Sequence, residues 1–272
     1  MDPALRTFRD RVAAADVDLA GAALAVAEIE HPDLHPAAHL ARLDELAVRS
    51  GAGAVRGARA RLDRLRAFLF EEEGFRGNAE DYYDPRNSCL NDVLDRRLGI
   101  PITLCLVALE VGRRVGLVLD GIGLPGHFVA GARIGAEVVL LDAFGGGAVL
   151  DRGAAEALVA RAVGRAVRLR DEHFAPVSGR QIVARMLRNL QGAYAKRQAW
   201  DRALAVVDRL LVVDGEASVH VRDRGTALVN LGRLHAGAAE WARYLRTAPG
   251  ASDGEQVREE LRRVRQVLGE RN

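Results

Sequence analysis

A change in the spacing of apolar residues near Gly121 constrains the fold of this chain more than any other feature. Before and after the stretch Tyr82–Leu150, apolar side chains recur every three or four residues, as on one face of an α-helix. After Gly121 they form two short runs instead, Phe128–Ala130 and Val138–Leu141, separated by Ile134-Gly135-Ala136. This pattern is typical of a β-hairpin. We therefore expect an α+β protein with a small antiparallel sheet between helical segments.

The first 75 residues follow the helical period, and we predict that they form helices packed on the core. Three histidines in this segment, His31, His35 and His39, are spaced by four, as metal ligands on one helical face are. However, Pro32 and Pro36 interrupt the helix that would align them. We therefore predict surface or capping histidines here, and no metal site.

Two helices are predicted immediately before the hairpin. The first follows Asn87 and Ser88, which are good N-cap residues, and ends at Gly99. The second begins at Pro101 and ends at Gly116. Because nearly every nonpolar residue of the second helix is large enough for a core, we expect this helix at the buried centre of the domain.

His127 and Asp142 are the candidate catalytic residues of the hairpin. If it turns at Ile134-Gly135, they lie directly opposite each other on one face, whereas a slip of one residue would separate them. A carboxylate bound to one imidazole nitrogen fixes the tautomer and leaves the other nitrogen to transfer a proton. A nucleophile would complete a triad, and the candidates are Cys105 and Thr103 in the second helix.

The competing interpretations of these residues are structural. Cys105 on a buried apolar helix is predicted to be a core residue with a raised thiol pKa. Cys89, just after a helix cap, is predicted to be a packing residue and the weaker nucleophile. His127 and Asp142 are equally compatible with a buried hydrogen-bonded pair that only stabilises the fold.

A polar cluster lies beside Tyr82 and Tyr83 and is a candidate binding site. Its members Asp84 and Asn87 are explained by turn formation and helix capping. Arg86 is not needed for either purpose, so an ion pair or a ligand contact remains open for it.

From Gly179 onward the sequence repeats with a period of 34 residues, which is typical of tetratricopeptide repeats. The core positions of the two copies are Leu187, Leu190, Tyr194, Ala203, Val207 and Leu210, followed by Val221, Arg224, Leu228, Gly237, Trp241 and Tyr244. Gln191 and Arg224 depart from the repeat pattern, and Gly225 supplies the small residue that close helix packing needs. The segment Val257–Leu268 is predicted to form a capping helix.

Composition restricts location and partners. The formal net charge is only +2, and acids are interspersed in the Arg-rich region 161–197, so nucleic-acid binding is disfavoured. No apolar run approaches the length of a membrane span, and two cysteines without a signal sequence predict a cytoplasmic protein. Gly145-Gly146-Gly147 lacks the Lys-Ser/Thr of a phosphate loop, and we expect no cofactor.

The central motifs together resemble those of bacterial SirB-type proteins, which are transglutaminase-like proteins with C-terminal tetratricopeptide repeats. The central domain of an F-box protein is also similar. The motifs that carry the resemblance are Tyr82–Ser88, Leu90–Leu94, Arg96–Thr103, Leu124–Phe128 and Asp142–Gly147. The resemblance extends over about Asp18–Leu268 and implies a papain-like core, in which a central helix packs on antiparallel strands.

The resemblance also has implications for catalysis. In active members of the superfamily, the nucleophilic Cys follows a Gly at the start of the central helix, and another Gly ends that helix about four turns later. Matching the second Gly to Gly116 places the nucleophile position at Pro101, the family His at His127 and the family Asp at Asp142. The base and its carboxylate are therefore expected, whereas the nucleophile is missing.

These inferences predict an N-terminal helical segment (1–75), a transglutaminase-like core (76–160), a linker (161–178) and two tetratricopeptide repeats with a capping helix (179–272). We expect a non-enzymatic scaffold or regulatory protein that binds a protein or peptide through the repeats. The alternative is a cysteine- or threonine-dependent amidase or protease that uses His127 and Asp142.

Overall fold

A computed structural model of the chain describes residues 3–14, 17–135, 137–215 and 217–270. The α-helices are α1 (Pro3–Ala13), α2 (Leu19–Ala27), α3 (Pro36–Ser50), α4 (Ala58–Arg66), α5 (Leu90–Arg96), α6 (Pro101–Arg114), α7 (Arg152–Val163), α8 (Gly179–Lys196), α9 (Trp200–Val213), α10 (Ser218–Asn230), α11 (Leu234–Thr247) and α12 (Gly254–Glu270). The strands are β1 (Arg76–Gly77), β2 (Leu98–Gly99), β3 (Leu119–Ile122), β4 (Val129–Ile134), β5 (Glu137–Asp142) and β6 (Ala148–Leu150). This architecture confirms the predicted α+β class.

The chain divides into two compact units. The core unit comprises Arg11–Met186 and contains the sheet, and the repeat unit comprises Met1–Asp10 together with Leu187–Asn272. None of the helices within the described ranges is long and apolar enough to cross a membrane.

Helix α6 is the buried centre of the core unit, as predicted. Every residue from Pro101 to Gly112 is buried, and α6 packs against α3 and β3. Pro101 occupies the first helical position, where the missing backbone N–H costs nothing. Gly116, with a φ of +71°, lies just beyond the end of the helix in a conformation that favours glycine.

Strands β3, β4, β5 and β6 form a four-stranded antiparallel sheet in chain order. The predicted hairpin is its β4–β5 pair, but the predicted register was wrong. Ile134 pairs with Glu137 and Ala130 with Leu141, so the turn comes one residue later than expected. The positive φ of +63° falls on Gly135, and β-branched Ile134 stays in the strand, which it favours. The pairing therefore shifts by two residues, which keeps the alternation of faces.

The start of α5 also differs from the prediction. Asn87 and Ser88 are not N-cap residues of this helix but belong to a 3₁₀ turn, Pro85–Ser88. Asp84 caps that turn by accepting a hydrogen bond from the N–H of Arg86 at 3.0 Å. Cys89 occupies the N-cap position of α5 instead, without a capping hydrogen bond from its side chain.

The repeat unit contains the last ten residues of α8 together with α9, α10, α11 and α12. Helix α10 packs against both α9 and α11, and α12 packs on α11 as the predicted cap. The repeat's core positions are buried apart from Arg224, which forms ion pairs with Asp208 and Glu240 at 2.7 and 2.6 Å. Gly225 lies so close to Trp241 that an added Cβ would be 2.5 Å from the indole ring. Its predicted role in close helix packing is therefore confirmed.

Candidate functional site

His127 and Asp142 form a buried hydrogen-bonded pair. The distance from His127 Nε2 to Asp142 Oδ1 is 2.8 Å, and the side chains are each 7% exposed. Because a carboxylate accepts here, Nε2 carries the proton. Nδ1 makes no hydrogen bond within the described part of the chain. The pair therefore has the arrangement of an oriented base, with one nitrogen held and the other available.

The pair forms although its members are not direct partners in the sheet. Asp142 ends β5, whereas His127 precedes β4 and reaches the carboxylate diagonally. A displacement of two residues leaves both side chains on one face, because alternate residues of a strand share a face. The error in the predicted register thus left the predicted contact intact.

Neighbouring groups hold both members of the pair. The N–H of Phe144 donates to Asp142 Oδ1 at 3.1 Å, and Arg185 of α8 donates to the carbonyl oxygen of His127 at 2.6 Å. Gly145 allows the chain to turn closely around the carboxylate, since an added Cβ would lie 2.5 Å from Asp142 Oδ2. The imidazole orientation is thus determined by the backbone as well as by the carboxylate.

Aromatic rings flank the imidazole. Phe144 meets His127 edge-on with ring centroids 6.1 Å apart, and Tyr82 meets Phe144 in the same way at 6.0 Å. Burial raises the pKa of the Tyr82 phenol above its ordinary value, although the charge of Arg185 opposes this shift. Tyr82 therefore remains neutral near pH 7 and offers a hydroxyl donor on this side of the pair.

The start of α6 supplies no nucleophile at its first position. Pro101 is buried and has no heteroatom in its side chain. Among the described residues, no Ser, Thr or Cys side chain makes a hydrogen bond to His127.

Thr103 is fully buried, and its hydroxyl is occupied by the local backbone. It donates to the carbonyl oxygen of Asn87, 2.7 Å away, and accepts from the N–H of Ile100 at 3.2 Å. The bond from Ile100 is one half of a capping box, in which the side chain of the third helical residue accepts from the backbone N–H of the N-cap residue. A nucleophilic role would require these bonds to break.

Cys105 is fully buried, and its thiol lies 3.6 Å from the carbonyl oxygen of Phe128, to which it donates. Burial raises the pKa of this thiol well above its ordinary value, and the nearby Asp142 carboxylate raises it further. A thiol so protonated near pH 7 is a poor nucleophile.

The candidate binding residues Asp84, Arg86 and Asn87 all make internal contacts. Arg86 forms an ion pair with Asp84 at 2.8 Å, and Arg96 approaches the same carboxylate at 3.3 Å. Burial alone would raise the pKa of Asp84, but the hydrogen bonds from Arg86 and the two positive charges hold it below its ordinary value. Asn87 donates to the carbonyl oxygen of Asp81 at 2.7 Å. The 55% exposed side chain of Arg86 is the part of this group that solvent reaches.

One group of potential metal ligands in the described ranges was missed by the sequence prediction. It consists of His31, Cys89 and Asp92, whose donor atoms all lie within 4.8 Å of one another. His31 was weighed as a metal ligand together with His35 and His39, but its partners in this group lie far along the chain. The short spacing of Cys89 and Asp92 was the available signal, and nothing in the sequence linked it to His31.

Comparison with protein families matches two parts of the chain. Residues 37–188 match the model of the transglutaminase-like superfamily, and residues 190–262 match a tetratricopeptide repeat. Repeats of this kind generally serve in protein–protein interaction. No solved structure gives a significant match.

Several relatives support the same assignment. A UPF0162 protein of Xylella fastidiosa strain 9a5c is 38% identical over 197 residues, which cover 71% of this chain and 70% of the relative. A UPF0162 protein of Vibrio cholerae is 29% identical over 171 residues, covering 62% and 63%. F-box only protein 21 of Mus musculus is 32% identical over 150 residues, covering 52% of this chain and 23% of the relative. The chain therefore belongs to the transglutaminase-like superfamily and carries a C-terminal tetratricopeptide-repeat region.

Proposed function

We propose that this chain is a non-enzymatic member of its superfamily that binds a protein partner through its repeats. The observation that carries the first part is the side-chain chemistry around His127. An acyl-transfer enzyme needs a nucleophile within about 2.6–3.2 Å of its base. Within the described part of the chain, the side chain of His127 is hydrogen-bonded to the Asp142 carboxylate and to no hydroxyl or thiol.

The remaining candidates for catalysis are each better explained by a structural role. Pro101 starts α6, Thr103 caps it, and Cys105 packs inside it as a protonated thiol. Activation of Thr103 would leave the carbonyl of Asn87 without its partner, and activation of Cys105 would place a thiolate in the core beside Asp142. Both changes carry a desolvation cost that the fold does not offset.

The partner hypothesis is supported by a cavity within the repeat unit. The cavity has a volume of about 500 Å³. It is lined by Leu5, Arg9, Asp208, Leu211, Val212, Arg224, Glu240 and Arg243. Apolar side chains form part of this lining, and charges of both signs form the rest. This composition suits a peptide with an apolar side chain flanked by charged ones.

Acyl transfer is tested by intact-mass spectrometry of the full chain after incubation with p-nitrophenyl acetate at pH 7. We expect the native protein and the His127→Ala variant to gain acetyl groups equally slowly, at surface amines alone. An adduct that forms rapidly on Thr103 or Cys105 and disappears in the His127→Ala variant would overturn the proposal.

Partner binding is tested by quantitative co-purification from extracts with the full chain and two charge-reversed variants. Arg243→Glu alters the cavity, and Arg133→Glu alters an exposed position on β4. We expect specific proteins to be lost with Arg243→Glu and retained with Arg133→Glu. Equal recovery of every protein with both variants would contradict a role for this cavity.

The second candidate function is a cysteine- or threonine-dependent amidase or protease. The observation in its favour is the geometry of the His127–Asp142 pair, which has the orientation that a catalytic base needs. We also propose the finer assignment to the SirB-type group, because the central motifs and the repeats occur together. A cytoplasmic location is proposed because a chain with only two cysteines, Cys89 and Cys105, has no disulfide framework.

A further inference from the structure

His31, Cys89 and Asp92 bring three different donor atoms together in the core unit. His31 Nε2 lies 2.7 Å from Asp92 Oδ2, and the Sγ atom of Cys89 completes a group in which all donors are within 4.8 Å of one another. With metal bonds of about 2.0–2.3 Å, the ligands of a tetrahedral ion are separated by about 3.3–3.7 Å. The three donors thus need shifts of about 1 Å or less to surround one ion.

The mixture of donors indicates the kind of ion. Imidazole nitrogen, thiolate sulfur and carboxylate oxygen are together the ligand set of borderline divalent metals, whereas Mg²⁺ and Ca²⁺ prefer oxygen alone. We propose that His31, Cys89 and Asp92 form a binding site for one divalent transition-metal ion of the Zn²⁺ type.

The charge of the group matches such an ion. A thiolate and a carboxylate carry two negative charges, which a divalent cation neutralises in a buried environment. Binding releases the thiol proton. The Nε2 proton that His31 shares with the Asp92 carboxylate moves to Nδ1 by a change of tautomer, which leaves the Nε2 lone pair for the metal. The nearby positive charge of Arg86 is already engaged by Asp84, with which it forms an ion pair at 2.8 Å.

Burial leaves one side of the site open. Cys89 is fully buried and the Asp92 side chain is 13% exposed, while the His31 side chain is 34% exposed. A zinc ion that is bound by three protein ligands and faces solvent on its fourth side retains a water molecule there. The water would enter beside His31.

The backbone holds the three residues in place without the ion. Cys89 is the N-cap of α5 and Asp92 lies three residues later in its first turn, so the backbone brings the two side chains close together. His31 is held by the turn after α2, where its N–H donates to the carbonyl oxygen of Ala27 at 3.0 Å. An ion at this point would join the segment after α2 to the start of α5.

Titration of the reduced, metal-free full chain with Co²⁺ tests the site. We expect one ion per chain, with the near-ultraviolet absorption band that a cobalt–thiolate bond produces, and reversal on addition of Zn²⁺. Cys89→Ser should remove the band, while Cys105→Ser, which alters the other buried thiol, should retain it. A native protein without the band would overturn the proposal, as would a band that persists in Cys89→Ser.

Two further variants keep the test independent of the folding of Cys89→Ser. His31→Gln and Asp92→Asn should each weaken Co²⁺ binding by more than tenfold, as loss of a ligand does, whereas His35→Gln should not change it. Equal Co²⁺ affinity in these three variants would contradict the assignment. Because no acyl transfer is measured, a negative result here leaves the non-enzymatic proposal untouched.

Discussion

His127, which precedes β4, donates a 2.8 Å hydrogen bond to Asp142 at the end of β5, although the two residues are not partners in the sheet. The contact is diagonal, and it is supported by the backbone N–H of Phe144 on the same carboxylate oxygen. The sheet thus holds an oriented imidazole in a core whose central helix begins with Pro101.

Replacing Asp142 with Asn is expected to destabilise the core unit. The amide oxygen can still accept one hydrogen bond, but the charge-assisted bond with His127 is lost in a buried environment. We expect the free energy of unfolding to fall by about 1–3 kcal/mol. Urea unfolding measures this change, with the exposed Glu137→Gln on the same strand as control. Equal stability of the two variants would show that the pair contributes little to the fold.

The ion pair between Asp84 and Arg86 is expected to make stability depend on pH. The pKa of Asp84 is lowered in the folded protein, so its contribution is present above the unfolded pKa of about 3.9 and is lost as pH falls through the folded value. Arg86→Gln should raise the folded pKa and cost about 1 kcal/mol at pH 7, a modest effect because Arg86 is half-exposed.

The difference in the free energy of unfolding between the native protein and Arg86→Gln should therefore become smaller as the pH is lowered below 4. Unfolding by urea at pH 7, 5 and 3 measures it. Arg133→Gln, at an exposed position on β4, should give a difference that does not vary with pH. A loss of unfolding free energy in Arg86→Gln that is the same at all three pH values would contradict the predicted pH dependence.

The repeat unit should be sensitive to an added methyl group at Gly225. An Ala side chain there would place Cβ 2.5 Å from the Trp241 ring, so the two helices must separate or the indole must move. We expect a loss of about 1–3 kcal/mol of stability. Gly192→Ala in α8 is the matched control, because nothing lies within 4 Å of its Cβ position. Thermal unfolding should show Gly192→Ala unchanged or more stable.

The features predicted correctly from the sequence depend on local periodicity. The apolar spacing after Pro101 identified the buried central helix, and the 34-residue repeat identified the helix pairs around Trp241. The contact between His127 and Asp142 was also predicted, because the error in the register is two residues, which keeps both side chains on one face.

The features that were missed depend on contacts between distant segments. The bond from Thr103 to the carbonyl of Asn87 and the contact of His31 with Asp92 leave no periodic signal in the sequence. The capping error at Asn87 has a local origin instead, since Asp84 and Pro85 start a 3₁₀ turn that includes the residues predicted to cap α5. Local propensity could not separate these alternatives.

The proposal that no reactive nucleophile lies beside His127 is tested most directly by the rate of iodoacetamide alkylation at pH 6, followed by intact-mass spectrometry. The native protein should gain no adduct, because Cys89 and Cys105 are buried and the pKa of Cys105 is raised. Rapid alkylation of Cys105 in the native protein, abolished by His127→Ala, would contradict the account.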